Sequence, residues 1–388
     1  MTEVIDTTRA LPEHAEEPVV ERDLQTVEME LNMGPQHPST HGVLRVILHL
    51  DGERIVRAQF DIGYLHRGKE KLCEYLDYRQ GLSQIERTDY LAPWNDDLAF
   101  VMAAEKLAGI EVPERALYVR TIMCELNRIA SHLVFYGAFG IDAGAITPFM
   151  YGFRVREVIL NFFEYVSGGR FFPLYFRVGG LKEDVPDGFV ERCRQTLDYI
   201  KQGIDDCDRL LSSNEIFLSR TKGVGVLSAE DAIALGVSGP MLRASGVPID
   251  IRRTEPYMIY DRFEFDIPVG TNGDSYDRYI LRIEEMRQSV RIIEQALKDF
   301  PGGPIMARMP KAFRPPAGEV YLRTEAPRGE YGIHLVSRGG SDKPYRVKIR
   351  APSFSNLAAM EHVLPGAFLA DAPIIIGSID IVLGDVDR

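Results

Sequence analysis

Between Gly42 and Phe60 the chain alternates with a period of two: Leu44, Val46, Leu48 and Leu50 are interleaved with Val43, Arg45, Ile47 and His49. That is the pattern of a half-buried strand, and Asp51-Gly52 supplies a type I′ turn signal before a second run, Ile55 to Phe60. A β-hairpin is predicted, preceded by a short strand at Val27 to Leu31. The middle of the chain switches to a helical period. Apolar stripes predict helices over 97–107, over 114–136 with Gly137 as the stop, over 148–166 ending at Gly168-Gly169, and over 187–211 and 274–300. In the last of these Tyr279, Ile283, Met286, Val290, Ile293, Leu297 and Phe300 recur at steps of four and three. Such a seam belongs to the core of a helix bundle and has no functional role. Beyond Pro301 the period returns to two, in short strands over 319–324, 331–337 and 345–350 and a last one near 374–376. Strands, then helices, then strands, without βαβ alternation, predict an α+β fold.

Composition narrows what such a fold can do. The 388 residues carry 45 Lys and Arg against 57 Asp and Glu, a formal charge of −12. That balance argues against nucleic acid, which needs a clustered basic footprint. Four cysteines, Cys73, Cys124, Cys193 and Cys207, are too few for a disulfide scaffold and point to a reduced, intracellular protein. Residues 1–24 are acidic, rich in Glu, Thr and Pro, and without the basic leader and apolar stretch of a signal peptide; they read as a flexible arm. No stretch approaches the roughly 18 to 20 apolar residues of a membrane span. Any membrane role is expected from the aqueous side.

Most familiar chemistries find no support. Gly223-Val-Gly225 lacks the third glycine of a dinucleotide fingerprint, and no Walker loop is present. Cys193 and Cys207 fall in one predicted helix about 21 Å apart at 1.5 Å per residue, too far to share an ion. His37 and His41 have zincin spacing, but Pro38 denies them a common helical face and no Glu follows the first His. What remains is polar residues in unusual contexts. His37 and His41 sit in the loop Gly34-Pro-Gln-His-Pro-Ser-Thr-His-Gly42, where two prolines and two glycines fix an irregular backbone. His66 and Arg67 lie beside glycines in 61–68, Glu86 to Trp94 concentrates charge and aromatics, and Glu125, Arg128 and His132 share one helix face. Satisfied loop hydrogen bonds or buried ion pairs account for each of them taken singly.

Together these segments resemble a known family. Asn32-Met-Gly-Pro-Gln-His-Pro-Ser-Thr-His-Gly-Val-Leu-Arg45, Ile62-Gly-Tyr-Leu-His-Arg-Gly68, Glu125-Leu-Asn-Arg-Ile-Ala-Ser-His132, Arg243-Ala-Ser-Gly-Val247, Arg350-Ala-Pro-Ser-Phe354 and Leu383-Gly-Asp-Val-Asp-Arg388 are similar, in order, to motifs of the D subunit of the proton-pumping NADH–quinone oxidoreductases, respiratory complex I. The resemblance implies one hydrogenase large-subunit-like unit over 25–388. It comprises an N-terminal β part (25–60, with loop 34–42), a mainly helical bundle (61–300) and a β-rich part (301–388), with arm 1–24 outside. Nickel–iron hydrogenases hold their metals with two Cys-x-x-Cys pairs; the matching stretches here, Thr88-Asp89-Tyr90-Leu91 and Asp380-Ile381-Val382-Leu383, contain no cysteine. The resemblance thus implies a vacated metal cavity that takes a quinone headgroup.

Carried over by motif, the quinone contacts are His41 and Tyr90, with Asp142 as the carboxylate coupled to His41. A quinone accepting two electrons also takes two protons, and these side chains donate N–H and O–H. No cofactor is expected on this chain itself; electrons come from a 4Fe-4S iron–sulfur cluster in the partner B subunit, with Arg67, Arg87 and His132 near it. Phe172 stands where many relatives carry a histidine near that cluster, which implies a weaker pH dependence of its potential. The implied partners are the B, C, H and I subunits of complex I, and the implied place is peripheral, on the cytoplasmic side of a bacterial inner membrane. A metal-free scaffold subunit, or the equivalent subunit of a complex using a donor other than NADH, fits the same motifs. The quinone species is not fixed by them.

Overall fold

The computed structural model describes residues 28–310 and 312–388; the acidic arm and Val27 lie outside the described residues. The N-terminal strands β1 (Glu28–Met33), β2 (Arg45–Asp51) and β3 (Arg54–Asp61) form an antiparallel meander in sequence order. Leu44, Val46, Leu48 and Leu50 all point into the core, as their alternation predicts. The turn is displaced by one residue. Asp51 pairs with Arg54, so the two turn residues are Gly52 and Glu53, and only Gly52 has positive φ. A type I′ turn needs it at both.

Helices α1 (Lys69–Cys73), α2 (Tyr78–Ile85) and α3 (Pro93–Ala108) lead into the longest, α4 (Glu114–Asp142), and its antiparallel neighbour α5 (Thr147–Ser167). A small ladder, β4 (Phe176–Arg177) with β5 (Gly180–Leu181), precedes α6 (Phe189–Leu211). Four short helices follow, α7 (Glu215–Thr221), α8 (Ala229–Ala234), α9 (Pro240–Ala244) and α10 (Ile251–Thr254), and then α11 (Ser275–Lys298). The C-terminal strands β6 (Ala317–Ala326), β7 (Gly329–Arg338) and β8 (Arg346–Arg350) make a second antiparallel meander. Helices α12 (Pro352–Val363), α13 (Ala372–Ile379) and α14 (Leu383–Asp387) close the described chain.

The fold departs from the sequence pattern in two further places. Helix α4 does not stop at Gly137 but runs 29 residues, to Asp142. Gly137, Gly140 and Gly152 are close-approach residues: a Cβ on Gly140 would lie 2.7 Å from Pro148, and one on Gly152 2.8 Å from the Leu133 carbonyl. They let α4 and α5 pack backbone against side chain. The segment 374–376 is not a strand but part of α13, with Ile374, Ile375 and Ile376 all buried. A continuous apolar run fits a fully buried helix as well as a buried strand, and α13 is enclosed by α4, α11 and the 34–42 loop.

The seam of α11 is buried from Tyr279 to Leu297 as predicted, but a second face of that helix, Arg278, Arg282, Glu285 and Ser289, is buried too. That face meets α4 and α13. Behind it the N-terminal meander and the C-terminal helices share an apolar core containing Leu48, Leu357, Met360, Ile376 and Val386. The site described next lies where these two bodies of packing meet.

Candidate functional site

The 34–42 loop is built around a single turn of 3₁₀ helix, Pro38–Thr40. His37 Nδ1 accepts the Ser39 N–H at 3.2 Å, and the Thr40 hydroxyl lies within hydrogen-bond distance of the His37 and Gly42 carbonyls. Gly34 permits the entry: a Cβ there would sit 2.0 Å from the Leu44 carbonyl oxygen. The turn ends on His41 in the left-handed region, at φ 55°. A non-glycine residue in that region costs on the order of 1–2 kcal/mol. The conformation brings its imidazole to the C-terminal end of α4, with Nε2 2.7 Å from Asp142 Oδ2.

The pair is largely enclosed, the His41 and Asp142 side chains being 16% and 6% exposed. Burial disfavours a charged imidazole. The Asp142 hydrogen bond and charge, assisted by Asp380, outweigh it and raise the His41 pKa above 6.5, against an opposing push from Arg328. Gly377 of α13 presses on the other side of Asp142, where a Cβ would come within 2.2 Å of Oδ2.

Tyr90 lies in the turn between α2 and α3, half-buried, and its hydroxyl makes no hydrogen bond among the described residues. Burial raises its pKa, Arg328 lowers it and Asp89 raises it. Leu383 and Gly384 join the two halves of the site. Leu383 packs on Gly42, and Gly384 lies so close to the Tyr90 ring that a Cβ would meet it at 3.1 Å. The stretches 88–91 and 380–383 are thus neighbours in space.

What bridges them is a side chain that the motifs do not single out. Arg328, in the β6–β7 turn and fully buried, donates to Asp89 at 2.7 Å, to Ser131 at 2.9 Å, and to the Asp380 carboxylate at 3.0 Å and carbonyl at 2.9 Å. Asp380 itself has positive φ and caps α13. A buried arginine in a tight turn is an unusual signal, but its partners lie 239 and 52 residues away.

The remaining predicted residues occupy different settings. Arg67 is exposed, on a loop whose Gly63 and Leu65 N–H groups donate to the Asp387 carboxylate at 2.8 and 2.6 Å. Arg87 is 39% exposed, pairs with buried Glu86 at 2.7 Å and stacks on the Phe172 ring. His132 is wholly buried and bonds Glu285 at 3.0 Å; burial pushes its pKa down despite that partner. It belongs to an interior network with Glu125, Arg128, Arg243, Asp250, Arg252 and Glu325. The four cysteines are buried and free, and burial pushes Cys73, Cys193 and Cys207 up to about 12. Among the described residues no group of three or more His, Cys, Asp or Glu is arranged to hold a metal ion, and no helix is long and apolar enough to cross a membrane.

Comparison with known proteins gives consistent matches. The family described as "Respiratory-chain NADH dehydrogenase, 49 Kd subunit" matches residues 142–315 and 308–388. The chain is 52% identical over 364 residues to the D subunit of NADH-quinone oxidoreductase from Desulforamulus reducens, covering 94% of this chain and 99% of that protein. It is 54% identical over 366 residues to the D subunit of the same enzyme from Dehalococcoides mccartyi, covering 94% and 100%.

Proposed function

The chain belongs to the 49 kDa subunit family of respiratory-chain NADH dehydrogenase, with its hydrogenase large-subunit-like α+β fold, and we propose that it is the quinone-reducing core subunit of such a complex. The observation that carries this reading is the 2.7 Å His41–Asp142 pair set beside Tyr90 across Leu383 and Gly384. A quinone is a flat dicarbonyl whose oxygens gain negative charge on reduction, and two donors held in place stabilise that charge. His41, its pKa raised, is a proton donor near neutral pH; Tyr90 offers an O–H that nothing else among the described residues engages.

Electrons are supplied by the 4Fe-4S cluster of the partner B subunit. The chain's own part is protonic and electrostatic. Exposed Arg67 and Arg87 are available to face that cluster, whereas His132 acts from the interior network. When His41 gives up its proton, Asp142 loses its cationic partner and keeps an uncompensated buried charge, a local change from which a signal to proton-pumping subunits can start. The B and H subunits complete the pocket walls, with the C and I subunits as further neighbours. The complex places this chain peripherally on the cytoplasmic side of a bacterial inner membrane, and the chain is inactive alone. Residues 25–388 act as one unit.

Tyr90→Phe in the assembled complex, assayed with a short-chain quinone, is expected to lower the rate about a hundredfold with the partner's cluster still reducible. An undiminished rate overturns the quinone reading in favour of a scaffold subunit. Asp142→Asn is expected to lower pumping as well as reduction; intact reduction and pumping sink the relay.

A further inference from the structure

Behind Tyr90 the fold gathers more carboxyls than its cations neutralise. Asp89, Asp96 and Asp385 are all buried, on the turn before α3, on α3 and on α14. Their bonds are few. Asp96 Oδ2 accepts the Asp89 N–H at 2.7 Å, Asp385 Oδ2 accepts the Ser353 N–H at 2.8 Å, and Asp89 is bonded to Arg328. Asp96 Oδ1 and Asp385 Oδ1 have no hydrogen-bond partner among the described residues, and the equally buried hydroxyls of Thr88 and Tyr331 engage nothing there beyond each other. Tyr331, on β7, lies beside Thr88 and within electrostatic reach of Asp96, Asp385 and Asp89.

The other charged groups facing this cluster do not balance it. Lys69 lies within electrostatic reach of Asp96 and Asp385 but places its ammonium on the carbonyls of Arg87 and Gly384, at 2.6 and 3.2 Å, and Arg328 is shared with Asp380. Asp97, next to Asp96 on α3, adds a further carboxyl with neither oxygen bonded. Carboxylate oxygens only accept, so Asp96 and Asp385 cannot satisfy each other while both are ionised; one proton makes a donor of one of them. Burial and the charges of Asp89, Asp385 and Asp97 all favour the protonated Asp96. Burial and Asp89 push Asp385 up to about 6.

We propose that Asp96 and Asp385 hold one proton between them, through the Thr88 and Tyr331 hydroxyls and bridging water, and return it to Tyr90 after the tyrosine has given its own to the substrate. This rests on the quinone-reducing reading. The placement suits such a return, since Asp89 precedes Tyr90 in the chain, and Gly384, next to Asp385, presses on the Tyr90 ring. The step balances. The Tyr90 O–H bond breaks as the quinone oxygen takes the proton, with electrons from the partner's cluster. The Asp96 O–H bond then breaks as the Tyr90 O–H re-forms, leaving a carboxylate that solvent reprotonates. Transfer runs downhill, because a tyrosinate is a much stronger base than a carboxylate. Asp96 and Asp385 are positioning residues that act through Tyr90.

Infrared difference spectra of the complete complex, wild type minus Asp96→Asn, test the stored proton. A deuterium-sensitive carbonyl stretch of a protonated carboxyl is expected in the wild type and missing from the variant; its absence from the wild type overturns the proposal. Asp96→Asn and Asp385→Asn keep the shape of the neutral acid. Each is expected to slow short-chain quinone reduction about tenfold near neutral pH and less at alkaline pH, where the wild-type store also empties, with Asp96→Glu keeping the rate. If the band is present but both Asn variants keep the wild-type rate and pH profile, the return to Tyr90 is wrong. The quinone reading then stands or falls separately, on Tyr90→Phe.

Discussion

At His41 burial and charge act on one proton in opposite directions, and the charge of Asp142 wins. The folded-state pKa is raised, so the pair's contribution to stability is full below about pH 6.5 and is lost as pH rises through the folded value. Hydrogen exchange of the 34–42 loop in the assembled complex is therefore expected to separate wild type from Asp142→Asn widely at acid pH and less at alkaline pH. Gly377→Ala reaches the same pair sterically: its Cβ displaces the Asp142 carboxylate, and quinone reduction should fall with no titratable group changed. On the proposed reading Phe172 lies near the partner's cluster and cannot take up a proton, so a redox titration should show a shallower pH slope than histidine-bearing relatives give; an undiminished slope overturns this. A residual slope is expected from Glu86, which burial pushes up to about 7 despite its bond to Arg87, and Glu86→Gln should remove it. His41, Tyr90 and Asp142 are named from the sequence through the family resemblance of the local motifs that hold them, and the fold sets the first beside the third. Arg328 and Asp96 lie in none of the motifs, and Asp380 and Asp385 lie in matched stretches without a role there, because what marks all four is long-range company rather than neighbours in sequence.

Among the elements, the α4–α5 contact decides where Asp142 stands. Glycines in a helical stretch suggest an end when only local geometry is considered, and Gly137 reads that way from the sequence; in the fold these glycines mark close approach to a second helix. Gly140→Ala and Gly152→Ala are expected to cost about 1–3 kcal/mol by overpacking, seen as a lower denaturation midpoint. They should also weaken the His41–Asp142 bond, since the last turn of α4 carries its acceptor. The hairpins and long amphipathic helices are readable because one face of each stays polar. Helix α13 is not, since burial all round erases the periodicity that separates helix from strand.

Across the molecule, a buried ion network ties α4, α9, α10, α11 and β6 together: Arg243 to Glu285 at 2.6 Å and Glu325 at 2.7 Å, Arg252 to Asp250 at 2.7 Å and Glu125 at 3.1 Å. Glu125 and Asp250 are held down to about 2, against burial, by Arg128 and Arg252 for the first and Arg252 and Arg243 for the second. Lowered carboxylate pKa values stabilise the fold above the unfolded value near 4, and that contribution is lost as pH falls toward about 2. Acid unfolding should be steep in that window. Arg252→Met, which strands two carboxylates, should cost about 3–5 kcal/mol, measurable as loss of assembled complex. Arg328 has a consequence in time as well as in space. Its contacts with Asp89 and Asp380 span 239 and 52 residues, and His41 finds Asp142 across 101. Contacts of such separation close late, after helices that need only their own turns. During synthesis helices α3 to α6 are complete in sequence while positions 328 and 380 are still to be made. A growing chain therefore has its helices before it has the proposed proton-handling centre, which is assembled only once residues 328 and 380 are in place.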